Sequence, residues 1–279
     1  MMHMKEMQER TSSDANMMDL QPELEWYMRP YLLDFLIEIH SSFGLQPSTL
    51  FLAANLIDRY CSRRVVYKKH YQLVGCAALW IAAKYNDPKD RVPNVRELRQ
   101  MCCNAYDEEM FVQMEGHVLN TLEWTVGHPT THSFLEAALP ARPASKDASA
   151  GSLAELASFF CELALFHREF LSFSPSAIAA SALALAQHML SPTTPNPNGD
   201  AKIMRLFQQS IPLATTILSR KYASMSSIFT QHSGMSAFPL TPPPQSSARL
   251  SASGPASRSE LPSGMMTPPL TPSTPTPWN

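Results

Sequence analysis

The length, charge and cysteine content of this chain exclude several classes of protein. Its 279 residues allow one or two domains with a sizeable core. The net charge is −2, which disfavours a protein that holds nucleic-acid phosphates. The five cysteines are odd in number and scattered, so they indicate a reducing compartment rather than a disulfide scaffold. No apolar run reaches the roughly 18 residues of a membrane span. Residues 1–16 are polar, so we expect no secretory signal, no membrane contact and a soluble intracellular protein.

Composition divides the chain into three regions. Residues 1–20 are polar and rich in Met, so we expect a flexible N-terminus. Residues 21–230 are apolar with helical periodicity, and we expect them to form the folded part. Residues 231–279 hold eleven of the 24 prolines and only three charged residues. Such a Pro/Ser/Thr-rich tail buries too little surface to offset its ordering entropy, so it is predicted to be disordered.

A first group of five helices is predicted in residues 21–128, because apolar side chains recur there at spacings of three and four. Pro47 suits the first turn of one helix. The helix that begins near Lys68 is apolar on nearly every side, which predicts a buried central helix. The predicted helices are Met28–Ser42, Pro47 to beyond Ile57, Lys68–Tyr85, Pro93 to about Cys103, and a helix capped by Asp107 that runs to Leu122.

A second helical group is predicted in residues 129–230, and strand-like alternation is almost absent. Two helical groups, each with a buried central helix, indicate an all-α chain of two similar lobes rather than a solenoid. The predicted segments are Thr131–Leu139, a linker over 140–151, a helix capped by Ser152 that ends near Glu169, an Ala-rich helix Pro175–Leu190, a loop over 191–199, and a helical stretch from Ala201 to Ser224 interrupted by Pro212.

No catalytic or cofactor-binding motif is found in the sequence. The nine glycines form neither a phosphate-binding loop nor a dinucleotide fingerprint. His128 and His132 are four residues apart, but Pro129 lies between them. The Cys102-Cys103 pair has no second cysteine pair at zinc-finger spacing. We therefore expect no metal, no cofactor and no enzymatic activity.

Four charged residues lie beside apolar helix faces. Glu115 has apolar neighbours at i±3 and i±4, and no basic residue of its own helix can reach it. Such a carboxylate either faces water at the edge of the stripe or pairs with something outside its helix. Lys84 ends the central helix, where a cation balances the helix dipole. Arg29 and Asp58 are placed to pair across the first two helices.

Several stretches stand in the order and at the spacing of one known family. They are residues 28–40, 56–62, 72–78, 81–85 and 114–124 in the first group, and 129–135, 170–182 and 221–222 in the second. In these stretches the chain resembles the cyclins. The resemblance implies two tandem cyclin-fold lobes of five helices each, with the boundary near residue 128. It also implies a non-catalytic subunit that binds and activates a cyclin-dependent Ser/Thr protein kinase.

The resemblance also implies roles for the four charged residues. Cyclins bond to the kinase through a lysine that ends the third helix and a glutamate of the fifth, and these positions match Lys84 and Glu115. The partner of Glu115 is therefore expected on another chain. Cyclins also pair a first-helix arginine with a second-helix aspartate, here Arg29 and Asp58.

The family's substrate-docking groove lies on the first and third helices. This chain departs from the family there, because Pro30 replaces a small residue and aromatic side chains change the shape. We therefore do not infer from the resemblance that this chain prefers the family's basic-x-leucine substrate motif. The matching positions are Met28, Tyr31, Leu32, Phe35, Glu38, Tyr71 and Gln72.

The tail resembles that of fungal G1/S cyclins more than that of mitotic cyclins. No mitotic-type destruction box is found in a region expected to be disordered. The Thr-Pro pairs resemble phosphodegrons read by F-box ubiquitin ligases, so a ligase is a possible second partner. We expect a regulator of the G1/S transition, in nucleus and cytoplasm. The candidate phosphosites are Thr241, Thr267, Thr271, Thr274 and Thr276.

Other functions stay open on the sequence alone. A nucleic-acid-binding protein of the transcription factor IIB type has the same fold, although the near-neutral charge and the lack of an N-terminal zinc ribbon argue against it. A cyclin-fold protein of a kinase outside the cell cycle, or a scaffold that binds a kinase without activating it, would carry the same motifs.

Overall fold

The computed structural model describes residues 2–139, 148–191, 199–226 and 228–229. The region 231–279 and its five candidate phosphosites lie outside these residues, as do 140–147 and 192–198 of the two linkers. In this part of the chain there are helices and no β-strand. The α-helices are α1 Met2–Arg10, α2 Ala15–Asp19, α3 Met28–Ser42, α4 Pro47–Cys61, α5 Lys68–Asn86, α6 Val95–Met101, α7 Glu108–Thr121, α8 Thr131–Ala138, α9 Ala148–Phe166, α10 Pro175–Leu190, α11 Ala201–Ser210 and α12 Thr216–Lys221. Short 3₁₀ turns cover Arg168–Ser172, Ile211–Leu213 and Ala223–Met225.

The first lobe consists of α3 to α7, and its five predicted helices are confirmed. Helix α5 is its centre, with most of its residues buried. Pro47 occupies the first turn of α4, and an Asn94–Glu97 capping box begins α6. Asp107 stands at the N-cap of α7 but makes no side-chain capping bond. The all-α fold therefore follows from caps and periodicity that the sequence displays.

The second lobe consists of α8 to α12, and the Ala-rich α10 is its packed centre. Ser174 caps α10 through the backbone N–H of Ala177, as the Ser-Pro start predicts. The predicted bounds of α9 are wrong at both ends. The helix begins at Ala148 rather than Ser152, so the favourable residues Ala148 and Ala150 outweigh the low helix propensity of Gly151. It ends at Phe166, since His167 is extended and a 3₁₀ turn follows.

The N-terminal segment is helical, contrary to the expectation from its composition. Residues 1–20 were expected to be flexible, yet α1 and α2 form there and contact both lobes, α1 through Gln8 and Ser176 and α2 through α4 and the 3₁₀ turn Arg168–Ser172. The side chain of Thr11 is buried, and its backbone carbonyl accepts a hydrogen bond from Asn55 Nδ2 at 3.2 Å. Met18 is also buried, and Asp19 forms an ion pair with Arg168. Specific hydrogen bonds and one ion pair thus order a segment whose composition is polar.

A buried guanidinium joins the two lobes. Arg29 of α3 is 3% exposed, and both of its terminal nitrogens donate to the carboxylate of Asp58 in α4. Its Nε donates to the carbonyl oxygen of Leu165 in α9 at 2.5 Å. Burial opposes the charge, but the Asp58 carboxylate outweighs it and raises the pKa of Arg29. The expected pair of Arg29 and Asp58 is present, and it has a third partner in the second lobe.

Substitution of this arginine tests how far the fold depends on it. Arg29→Ala strands a mostly buried carboxylate, which typically costs about 3–5 kcal/mol. For a chain of this size we expect the melting temperature to fall by roughly 10 °C. Differential scanning calorimetry of the chain alone measures the change. The matched control is Arg96→Ala, which removes an exposed arginine with only a long ion-pair contact and should leave the melting temperature nearly unchanged. Equal melting temperatures for the two variants would contradict the role given to Arg29.

A half-buried histidine lies beside the junction between the lobes. His128 Nδ1 lies 2.6 Å from Thr11 Oγ1, so this contact joins the residue that follows α1 to the segment that precedes α8. Burial, and then the charge of Arg59, lower the pKa of His128 from 6.5 to about 4. The folded state therefore holds this ring neutral at a pH where the unfolded chain protonates it.

The sign of the pH effect follows from this shift. Above pH 6.5 both states are neutral at His128, and stability does not depend on the ring. As the pH falls from 6.5 towards 4, only the unfolded state gains a proton, so stability decreases. Between pH 7 and pH 5 the titration of His128 should lower the free energy of unfolding of the wild-type chain by about 2 kcal/mol.

Urea unfolding at pH 7 and pH 5 measures this cost. His128→Gln should lose less stability than wild type over that range, whereas His188→Gln, at an exposed position, should lose as much as wild type. An equal loss in His128→Gln and wild type would show that His128 does not titrate as described.

Candidate functional site

Lys84 and Glu115 meet on the surface of the first lobe. Lys84 lies in the last turn of α5, and Glu115 lies in the middle of α7. The ammonium of Lys84 donates to Glu115 Oε1 at 2.6 Å. The expectation that Glu115 has its partner on another chain is therefore wrong for the isolated chain, because the partner is Lys84. Glu115 remains 16% exposed, so further groups can still reach the carboxylate.

An aromatic ring also holds the ammonium of Lys84 in place. Lys84 Nζ lies 3.3 Å from the centroid of the Trp80 ring, one helical turn earlier in α5. A cation over an indole face is stabilised by about 0.5–1 kcal/mol at an exposed site. Periodicity predicts only that this helix is buried, and it does not indicate this contact. The i, i+4 spacing of Trp80 and Lys84 was the available signal.

Exposed apolar side chains lie close to these two residues along their helices. Tyr85 follows Lys84 directly and is 60% exposed. Val112 lies one turn before Glu115 on α7 and is 53% exposed. We call these four residues, Lys84, Tyr85, Val112 and Glu115, the Lys84–Glu115 surface. A charged pair close to exposed apolar groups has the composition of a protein-binding surface, since apolar neighbours exclude water around a polar contact.

A strained turn follows α7. Glu123 and Trp124 both have positive φ angles, of 53° and 57°. This region of backbone space is uncommon for residues other than glycine and often marks functional sites. Trp124 is 67% exposed, and its indole N–H donates to Asn120 Oδ1 at 3.1 Å. The turn thus fixes a large aromatic side chain at the surface.

The seven positions of the expected docking groove are not equivalent in the structure. Tyr31 and Glu38 are exposed, and Glu38 forms an ion pair with Arg220 of the second lobe. Leu32 and Tyr71 are buried. The phenol oxygen of Tyr71 is buried, and burial raises the pKa of Tyr71 despite the opposing charge of Arg29. The other three, Met28, Phe35 and Gln72, are half-buried.

A close helix contact fixes the spacing of α3 and α5 beneath that groove. A Cβ atom on Gly75 would lie 2.6 Å from Leu32 Cδ1, closer than atoms pack in proteins. The glycine therefore permits α3 to approach α5 closely.

The two histidines considered as metal ligands have other contacts. The His132 ring stacks on Phe51 with a centroid distance of 5.7 Å, while His128 bonds to Thr11. Within the described ranges, His, Cys, Asp and Glu side chains form no group of three suited to a metal ion. No helix in the same ranges is both long and apolar enough to cross a bilayer.

Comparison with protein-family models identifies both lobes. The model described as "Cyclin, N-terminal domain" matches residues 1–127, and "Cyclin, C-terminal domain" matches residues 129–208. The chain belongs to the cyclin family. The first match begins at residue 1, so it includes α1 and α2 as well as the five helices of the first lobe.

Curated relatives with similar sequences include fungal G1/S cyclins. The chain is 48% identical to "G1/S-specific cyclin CCN1" of Candida albicans over 224 residues, which cover 75% of this chain and 32% of that protein. It is 45% identical to "G1/S-specific cyclin CLN3" of Candida albicans over 134 residues, covering 48% of this chain and 29% of the relative. The matched part thus spans about a third of the length of these relatives.

A solved structure has the same fold. The crystal structure of a viral cyclin from herpesvirus saimiri superposes with a TM-score of 0.59 and 21% sequence identity, covering 82% of this chain and 96% of that one. At this identity the likeness concerns the fold, which confirms the two-lobed cyclin architecture.

Proposed function

We propose that this cyclin binds and activates a cyclin-dependent Ser/Thr protein kinase through the Lys84–Glu115 surface. The observation that carries the proposal is the Lys84–Glu115 ion pair, held by Trp80 and close to exposed Tyr85 and Val112. Such a fixed pair suits a partner helix that ends in polar groups, because the charges need no rearrangement on binding. In this proposal catalysis stays in the kinase.

Activation follows from differential binding. In protein kinases a movable helix carries the glutamate that pairs with the ATP-anchoring lysine. A cyclin that contacts the active arrangement better than the inactive one shifts the population towards the active state. A shift from 1:99 to 99:1 requires about 5.5 kcal/mol of differential affinity. One ion pair does not provide this much differential affinity, so the neighbouring apolar side chains are expected to contribute to the proposed interface.

The proposed time of action is the G1/S transition, and the proposed location is the nucleus and cytoplasm. The resemblance to two relatives named as G1/S-specific supports the timing. A nucleic-acid-binding role of the transcription factor IIB type receives no support from the net charge of −2.

Removal of the ion pair separates binding from folding. Lys84→Ala combined with Glu115→Ala deletes an exposed intrachain pair, which contributes about 0–1 kcal/mol to the stability of the free chain. At a desolvated interface, loss of such contacts costs about 2–5 kcal/mol. We expect kinase affinity to fall at least thirtyfold with an almost unchanged melting temperature. Calorimetric titration with purified kinase, and activity on a short peptide without docking motifs, measure the effect.

The control is Glu38→Ala combined with Arg220→Ala, which removes another exposed ion pair. This variant should bind and activate the kinase as wild type does. The proposal would be refuted if the Lys84 and Glu115 double variant activated the kinase normally, or if both double variants lost binding to the same extent.

Phosphorylation of the tail is proposed as a route to turnover through a ubiquitin ligase. The support is the sequence pattern of five Thr-Pro pairs, since each phosphate adds about −1.5 to −2 charge for an arginine cluster on a receptor. Alanine at Thr241, Thr267, Thr271, Thr274 and Thr276 should lengthen the half-life after synthesis is blocked. Alanine at five tail serines that do not precede proline, Ser246, Ser247, Ser251, Ser253 and Ser257, is the matched control. Equal half-lives for the threonine variant and wild type would rule out this role.

A further inference from the structure

A cluster of positive charge lies at the opposite end of α5 from Lys84. Residues 63–69 carry four of the 22 Lys and Arg residues and no acidic residue, although the whole chain has a net charge of −2. We call this segment the 63–69 patch. Five of its side chains form an exposed basic and aromatic surface: Arg63, Arg64, Tyr67, Lys68 and Lys69.

The backbone of the 63–69 patch is fixed before any partner binds. Gln21 Nε2 donates to the carbonyl oxygen of Arg64 at 2.7 Å, and Gln21 Oε1 accepts from the N–H of Val66 at 2.8 Å. Val66 is itself buried. Arg63 Nη1 donates to the carbonyl of Thr121 at the end of α7 at 3.0 Å. A charged surface on a fixed backbone loses little chain entropy when it binds a ligand.

The charges of this patch are not explained by the stability of the chain. Lys68 and Lys69 lie in the first turn of α5, where a cation opposes the helix dipole. Neither ammonium has an ion-pair partner among the residues that the structure describes. The acidic side chain that Arg63 pairs with, at 3.5 Å, is the well-exposed Glu123. The Glu23 carboxylate accepts the backbone N–H of Lys68 at 3.0 Å, so one acidic side chain lies at this helix end. The four cations outnumber Glu23 and the well-exposed Glu123, and this excess of positive charge points to an anionic partner.

A phosphate group fits this patch better than a single carboxylate. An exposed pair between one lysine and one carboxylate contributes little. A phosphate monoester carries about twice the charge and offers three acceptor oxygens, which several cations can share. The exposed ring of Tyr67, between the two pairs of cations, offers an apolar contact for a residue next to the phosphate.

We propose that the 63–69 patch docks a substrate segment that already carries a phosphoserine or phosphothreonine. The proposal rests on the proposed kinase-activating function, because the same kinase complex would create the docking group and then phosphorylate further sites on that substrate. It assigns this surface a ligand distinct from the kinase that binds the Lys84–Glu115 surface.

The binding test uses the full chain and a short fluorescein-labelled peptide with one phosphothreonine-proline. Lys68→Gln combined with Lys69→Gln should weaken binding about tenfold. Lys202→Gln combined with Arg205→Gln, two cations at the start of α11, should leave binding unchanged. The same peptide with threonine should bind far more weakly than the phosphopeptide, and a glutamate version should bind only marginally better than the threonine peptide. Raising the salt concentration should weaken binding of the phosphopeptide.

Several results would overturn the proposal. They are equal binding of the phosphorylated and unphosphorylated peptides, equal weakening in the α11 control, and displacement of the peptide by single-stranded RNA or by anionic lipid vesicles at lower concentration. Unchanged melting temperatures would confirm that both double variants are folded.

A kinase assay separates this proposal from the proposed function. The kinase complex of the Lys68 and Lys69 double variant should phosphorylate a minimal one-site peptide as the wild-type complex does. It should lose the wild-type preference for a substrate primed with one phosphate. An inactive wild-type complex on the minimal peptide would refute the kinase-activating function. Full activity there without any preference for the primed substrate would refute only the docking site.

Discussion

The arrangement of the two lobes depends on one buried charge, the guanidinium of Arg29. It pairs with Asp58 in α4 and donates to the carbonyl of Leu165 in α9, so it is satisfied only when helices of both lobes are in place. A buried guanidinium that lost either partner would carry a desolvation cost of several kcal/mol. This requirement makes packing of α9 against α3 and α4 specific, whereas apolar contacts alone would tolerate sliding between the helices.

Sequence patterns predicted the helices well where the pattern and the caps agree. Helices α3, α4, α5 and α10 have proline or serine starts or dense apolar spacing, and their bounds were predicted closely. The N-terminal segment was missed because its order depends on long-range polar contacts, such as Asn55 with Thr11. Hydropathy cannot detect a hydrogen bond between residues 44 positions apart. The start of α9 was missed because a favourable capping residue, Ser152, lies inside the helix.

The candidate site shows the same limit of sequence reasoning. The i±4 rule correctly found that Glu115 has no partner within its own helix, but Lys84 reaches it from a helix 31 residues earlier. Both residues could be named from the family resemblance, whereas their mutual contact required the fold. The pairing changes the physical picture of binding. The charges of Lys84 and Glu115 already balance each other, so the proposed kinase partner adds hydrogen bonds to this pair rather than neutralising a lone carboxylate. Most of the affinity for the kinase is then expected from surrounding apolar contacts such as Tyr85 and Val112.

The geometry of α5 relates the two proposed surfaces. Lys69 and Lys84 are 15 residues apart on one helix, which corresponds to about 22 Å along its axis. Because α5 is buried along most of its length, this separation is set by the core and cannot change without unfolding the lobe. A substrate segment held at the 63–69 patch is therefore kept at a constrained distance from a kinase bound at the Lys84–Glu115 surface. Tethering of this kind makes phosphorylation of further sites on the docked substrate an intramolecular event. The resulting rate increase depends on whether the substrate chain between the docked phosphate and the next site is long enough to reach the kinase.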